Sequence, residues 1–339
     1  MRVLFDINHP AHVHLFRNFI RYLLGEKHLV LITAREKDVT NQLLDYYGFE
    51  YISLSKPKQG IHNLLFELMK RDVKIFNLHR KHRFDVAFGT SVSISHLSAV
   101  TNAKSYAFNE DDDAVVPMYT HITYPFCTKI INPSCLRYKK WTHKRILHDS
   151  YHELSYLHPN NFTPSRDVLN KYSLREREYV IIRLSALRAH HDIRARGISL
   201  ELLKKIEEAV SRYAVIRTVE NHQTHKIDPW DMHHILAFAK MIISDSQTMT
   251  IEASVLGVPA IRINSFYNRS TVLSELEKKY KLTFGFSPDN QKQILQKIDE
   301  MVTRHDTSSV WSERRTRLLL DKIDFNRWMV DFFEKDIQK

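Results

Sequence analysis

Apolar residues fall along the chain in two alternating rhythms. Short apolar runs at 3–7, 29–33, 51–54, 85–88 and 104–108 predict strands. Between them, the stretches 12–24, 37–47, 63–81 and 93–101 place apolar residues three and four apart, the spacing of one buried helix face. One more strand is expected over 121–131. From about 133 to 178 the rhythm fades and Pro, Asn, His and Tyr gather, which reads as a linker. It restarts with strands at 179–184, 215–218, 241–244 and 259–263 and helices at 200–213, 248–256, 271–280 and 290–303. Strand–helix alternation of this kind argues for parallel sheets. The expected fold class is α/β, with two doubly wound Rossmann-like domains facing a central cleft. The expected domains are 1–160 and 161–320. Trp328, Met329, Phe332 and Phe333 stand at helical spacing in 321–339, a last helix expected to pack back on the first domain.

Length agrees, since 339 residues suit two domains of about 150 residues each. With 43% hydrophobic and 26% charged residues, the chain has the apolar material for two cores. Glycine is scarce at seven residues, and no two form G-x-G. The dinucleotide fingerprint and the P-loop are both absent, which excludes ordinary nicotinamide dehydrogenases and P-loop kinases or ATPases. Cys127 and Cys135 make neither a disulfide framework nor a zinc knuckle. The start, Met1-Arg2-Val3-Leu4-Phe5-Asp6, enters a strand without a signal-peptide layout, and no stretch approaches 18 uninterrupted apolar residues. The expectation is a cytoplasmic protein, with peripheral contact on the inner face of the membrane left open. The net charge of +11 suits a polyanionic partner without choosing one.

Ligands of doubly wound folds bind at the carboxyl ends of the strands, so the loops that follow strands are where chemistry is sought. The first such loop, Asp6-Ile7-Asn8-His9-Pro10-Ala11-His12-Val13-His14, opens a helix whose unpaired N–H groups attract an anion. His12 is the preferred general base for an acceptor hydroxyl; the alternative is that the three histidines cap the helix. A metal site from His12 and His14 lacks a carboxylate or cysteine partner nearby. The second, Ser244-Asp245-Ser246-Gln247-Thr248-Met249, places small polar residues where a strand gives way to a helix, a phosphate cradle that needs no glycine loop. Glu252, on the Ser246 and Met249 side of that helix, suits the two ribose hydroxyls; the bland reading is a capped helix with a solvated Glu. The third loop carries Arg183, Arg188, Arg194 and Arg196 with His190 and His191, fit for a diphosphate leaving group or simply a basic loop.

Asn109 and Glu110 follow the strand at 104–108 and lead into Asp111-Asp112-Asp113. The run can orient acceptor hydroxyls or hold a divalent cation, or it is a solvated turn. Finally, 56–83 interleaves eight Lys or Arg with Leu64, Leu65, Phe66, Met69 and Phe76. This is the pattern of a helix lying on an anionic membrane, or of an ordinary basic face over a core.

The opening loop, together with Ile32-Thr33-Ala34-Arg35-Glu36 and Ser244-Asp245-Ser246-Gln247-Thr248-Met249, resembles a prokaryotic domain family of unknown function described as predicted glycosyltransferase. That family belongs to the GT-B superfamily, beside the UDP-N-acetylglucosamine 2-epimerases and the MurG-type transferase. The resemblance implies a diphosphate on Ser246, Gln247 and Thr248 and a ribose on Glu252, and it sets His12 where the MurG-type loop carries its histidine. On the reading of the loops themselves, Arg183, Arg188 and Arg194 are expected near the leaving group, an acceptor beside His9, His14, Arg35 and Thr90, and His12, Glu110 and Asn109 as the catalytic set. Gly89-Thr90-Ser91 stands where the epimerases carry Gly-Asp-Thr. The lost carboxylate favours transfer over epimerisation. The expected activity is metal-independent transfer of a sugar from a nucleotide donor, UDP-linked by resemblance, to a carbohydrate or lipid-linked hydroxyl in surface polysaccharide or glycolipid assembly. No cofactor and no nucleic-acid partner are expected. The rival readings are an epimerase-like sugar-nucleotide enzyme and a non-enzymatic nucleotide- or polyanion-binding protein.

Overall fold

The structure is a computed structural model and describes residues 1–57, 60–185, 197–219 and 227–338. They divide into two compact units, one of Met1–Tyr156 with Ile323–Lys339 and one of Leu157–Lys322.

In the first unit the strands are β1 (Arg2–Ile7), β2 (Leu29–Arg35), β3 (Tyr51–Ser55), β4 (Val86–Gly89), β5 (Lys104–Phe108), β6 (Lys129–Pro133) and β7 (Arg145–His148). They form one sheet in the order β3-β2-β1-β4-β5-β6-β7, with each pair parallel. Its helices are α1 (Pro10–Gly25), α2 (Thr40–Tyr46), α3 (Ile61–His82), α4 (Val92–Val100) and α5 (Pro117–Thr123). Val3, Leu4 and Phe5 are wholly buried, because a parallel strand covered by helices on both faces reads as an unbroken apolar run. Phe5 packs on Phe16 and Phe19 of α1 and on Phe88 of β4.

Two expectations change here. The single strand expected over 121–131 is the end of α5 followed by β6. Pro117 starts the helix, and burial of Thr120 and Thr123 overrides the strand preference of these β-branched residues. The expected linker contains β7, whose four residues Arg145–His148 are too few and too polar to show a period.

The second unit holds β8 (Tyr179–Leu184), β9 (Ala214–Val219), β10 (Met241–Ser244), β11 (Ala260–Ile263) and β12 (Thr283–Phe286). Their order is β9-β8-β10-β11-β12, again all parallel. Around them lie α6 (Asp167–Lys171), α7 (Leu200–Ala209), α8 (Met232–Phe238), α9 (Gln247–Leu256), α10 (Thr271–Lys278), α11 (Gln291–Thr303) and α12 (Thr307–Asp321). Buried on almost every side, α9 ends at Gly257, whose φ of 75° is the left-handed stop that glycine adopts without strain.

The last helix, α13 (Phe325–Phe332), belongs to the first unit. Phe325 stacks on His148 at 4.0 Å, and Phe333 packs on Phe19 and Phe88.

Strand order reverses direction between β1 and β4 in one unit and between β8 and β10 in the other. Successive connections leave such a point toward opposite faces and open a crevice at the strand ends. Each unit therefore has one place where a ligand is expected, and the candidate residues gather at both.

Candidate functional site

In the first unit the switch point is made by the loops after β1 and β4. Gly89 ends β4, and a Cβ there would stand 2.8 Å from the backbone oxygen of Asp6. Only glycine lets the two strands run this close. His9 caps α1, its Nδ1 accepting from the Ala11 N–H at 3.2 Å. Pro10 in the first turn loses nothing by lacking an N–H. One turn on, His12 Nδ1 lies 2.7 Å from Thr90 Oγ1, so that β4's loop fixes the imidazole presented by β1's loop. Burial, then the neighbouring His9, His152 and Lys37, hold His12 well below the ordinary histidine range. At neutral pH the ring is uncharged and can accept a proton.

Glu110 stands after β5 and accepts from the backbone N–H of His152 at 3.0 Å, with His152 Nδ1 3.5 Å from its other oxygen. Burial pulls His152 down to about 3. His152 sits in the stretch read as a linker, and its only signal was its position just beyond a strand too short to recognise. Asn109 is turned inward, its Nδ2 donating to the Asp111 carbonyl and to Tyr124 Oη. Asp112 accepts from the Arg137 N–H at 2.7 Å, and Asp113 pairs with Arg145 at 2.6 Å. The acidic run thus ties loops together through Arg and backbone partners.

Beneath the first loop lies a buried network that sequence reasoning missed. Asp6 is fully buried and pairs with Arg71 of α3 at 2.6 Å. The same guanidinium nitrogen donates to Asn8 Oδ1 at 2.7 Å, inside the loop that carries His9 and His12. Arg35 makes two 2.7 Å bonds to Glu67, whose carboxylate also accepts from Ser55 Oγ. Arg35 is thereby committed to α3. His14 is buried against Arg17, Tyr47 and Tyr156; the structure does not bring it to His9, His12 and Thr90. The available signal was the fourfold spacing of Glu67, Arg71 and Ile75 on one face of α3.

In the second unit the switch point lies between β8 and β10. Ser246 caps α9, accepting from the Met249 N–H at 3.5 Å. Gln247 and Thr248, half-exposed, form the first turn, where backbone N–H groups have no partner within the helix. Arg183 lies opposite Ser244 across the β8–β10 pairing. Arg188 and Arg194 lie outside the described residues. Glu252 is buried, its Oε1 2.9 Å from His233 Nε2 of α8, an alignment that the expectation of a solvated Glu did not contain.

Asp245 joins three strand ends. Its Oδ1 accepts from the Ser185 N–H at 2.5 Å, and its backbone oxygen accepts from Asn264 Nδ2 at 3.1 Å. A Cβ on Gly197 would run into Oδ2. Burial, outweighing the Ser185 N–H, raises its carboxyl from 3.8 to about 6. The unfolded chain therefore gives up this proton first as pH rises. Stability falls across the window from about pH 4 to pH 6, by roughly 2–3 kcal/mol, and stays lower above it. Asp245→Asn keeps the acceptor and removes the buried charge. It is expected to match wild type at pH 4 and to be more stable at pH 8 by roughly that amount, which urea melts at the two pH values will check.

The fold is shared with several solved structures. A co-structure of S. aureus MnaA with UDP superposes with a TM-score of 0.70 at 11% identity, over 98% of this chain and 96% of that one. The UDP-GlcNAc 2-epimerase of Methanocaldococcus jannaschii, in complex with UDP-GlcNAc and UDP, gives 0.66 at 12% identity, over 94% and 99%. The spinosyn rhamnosyltransferase SpnG, complexed with spinosyn aglycone, gives 0.61 at 12% identity, over 99% and 100%. The architecture is thus the GT-B-like α/β fold of two Rossmann-like units. No curated protein matches at the sequence level. The sequence model of one family, described as a protein of unknown function (DUF354), matches residues 1–280.

Proposed function

The chain belongs to the DUF354 family, and we propose that it is a glycosyltransferase moving a sugar from a nucleoside diphosphate, UDP being the expected one, to a hydroxyl acceptor. The observation that carries this reading is the half-exposed, polar start of α9 at the second unit's switch point. N–H groups and hydroxyls there suit a diphosphate, and the helix dipole favours its charge. Arg183 is beside this turn, and Arg188 and Arg194 are proposed as further cations for it. Glu252, aligned by His233, is proposed to hold the ribose. The names of the structural neighbours, with UDP, UDP-GlcNAc and a rhamnosyltransferase among them, support a nucleotide-sugar ligand.

The proposed chemistry is one displacement. The acceptor oxygen bonds to the anomeric carbon, the carbon–oxygen bond to the diphosphate breaks, and the acceptor proton passes to His12. Charge growing on the departing diphosphate meets α9 and the arginines. His9, Thr90 and the Glu110–His152 pair would position the acceptor, with Asn109 shaping the loop beneath Glu110. Transfer is preferred to epimerisation because Thr90, where the epimerase-like motif carries an acid, bonds to His12.

Calorimetric titration with UDP, CDP, GDP and dTDP tests the donor site. One nucleotide is expected to bind in the micromolar range, and Glu252→Ala to weaken it by about 1–3 kcal/mol. If no nucleotide binds, α9 is a capped helix only and the reading fails. A sugar nucleotide interconverted without any acceptor would instead establish an epimerase.

A further inference from the structure

The helix α3 is built inside out. Its buried face carries Glu67, Arg71, Ile75 and His79 at fourfold spacing, so charged side chains point at the sheet. Its outward face carries Leu65, Phe66, Met69, Val73 and Phe76, between 38% and 60% exposed. Phe66, Met69, Val73 and Phe76 recur three and four apart and form one stripe. A helix on a sheet ordinarily buries such a stripe.

The charges beside the stripe have one sign. Lys70, Arg80 and Lys81 are exposed along it, with Lys70 Nζ 4.3 Å over the Phe66 ring. Both acids of the helix are turned away, Glu67 to Arg35 and Asp72 to His96, each at 2.7 Å. At the end of the helix Phe76, Arg80 and Arg83 join Val100 and Lys104 around a concavity of about 620 Å³, whose one acid, Asp85, is paired with Arg2.

We propose that this face of α3 docks on an anionic lipid bilayer. The stripe enters the boundary of the acyl chains while the lysines and arginines lie at headgroup level. A bilayer offers an apolar layer beneath a negative surface, the complement of an apolar stripe edged by cations. A second copy would set its own cations against these. No helix among the described residues is long and apolar enough to cross a membrane, so this contact is peripheral. It stands independently of the proposed reaction.

Flotation of the full chain with vesicles tests it. The protein is expected to float with phosphatidylcholine vesicles that contain phosphatidylglycerol and not with phosphatidylcholine alone, and to be released by high salt. The triple variant Phe66→Ser/Met69→Ser/Val73→Ser changes exposed residues only. It is expected to lose at least about tenfold in binding with an unchanged circular dichroism spectrum. The charge variant Lys70→Glu/Lys81→Glu is expected to lose a similar factor. Wild type floating with neither vesicle, or with both alike, overturns the proposal, as does a triple variant that floats like wild type. Sedimentation velocity adds a third check: a wild-type dimer that the triple variant dissociates would make the stripe a self-association surface and end the lipid reading.

Discussion

Replacing His12 by alanine is expected to slow sugar transfer by about 10²–10⁴-fold, the usual contribution of a positioned general base, and to leave nucleotide affinity unchanged. The expectation rests on three features of this residue. It sits where the strand order reverses, at the start of α1. Thr90, on a separate loop, fixes its ring at 2.7 Å. Burial, with His9, His152 and Lys37 adding to it, keeps it uncharged, so proton acceptance needs no prior deprotonation. That last point adds a second readout. Because burial lowers its folded-state value, the loss of rate that an ordinary histidine base brings as pH falls through 6.5 is expected only at lower pH. Turnover unaffected by His12→Ala would remove this residue from the mechanism and leave the Glu110–His152 pair as the next base to test.

The second large effect is on stability. Arg71→Ala is expected to destabilise the first unit by about 3–5 kcal/mol, because it strands a carboxylate in a buried site. Asp6 is wholly buried and the Arg71 side chain is 5% exposed, so water cannot replace the lost partner. The same guanidinium also serves Asn8 and Ser55, a fork that lysine does not reproduce; Arg71→Lys should therefore recover only part of the loss. Arg71→Met combined with Asp6→Leu, which removes both members, should cost less than Arg71→Ala alone. Urea unfolding of the three variants checks the order. If Arg71→Ala melts like wild type, the pair is not holding the His9–His12 loop in place.

What the sequence shows follows from how far each feature reaches along the chain. β1 and β8 are legible because strands buried on both faces are apolar throughout, and α1 because its apolar residues keep helical spacing over 12–24, although the helix begins two residues earlier, at Pro10. The edge strand β7 and the short α8 are hidden, having too few residues for a period. The site divides in the same way. His12 and Ser246 are visible because their meaning is local: a polar residue where a strand ends and a helix begins. Their partners are not. Arg71 lies 65 residues from Asp6, His152 lies 42 from Glu110, and His233 lies 19 from Glu252. Nothing local distinguishes a charged residue that will be buried by a distant partner from one that remains in water. Glu67 and Arg71 therefore read as part of a basic face, and only the packing of α3 reveals that they point inward.

The path of the chain carries a consequence for how the molecule is made. The first unit is interrupted after Tyr156 and resumes at Ile323. A ribosome adding about 5–20 residues per second needs roughly 8–30 seconds to traverse the intervening stretch, 157 to 322. Throughout that delay the surface formed by Phe19 and Phe88 awaits Phe333, and His148 awaits Phe325. The second unit has all its strands before the first can close. On the ribosome, then, the nascent amino-terminal half is the one exposed to chaperones and proteases, although it emerges first.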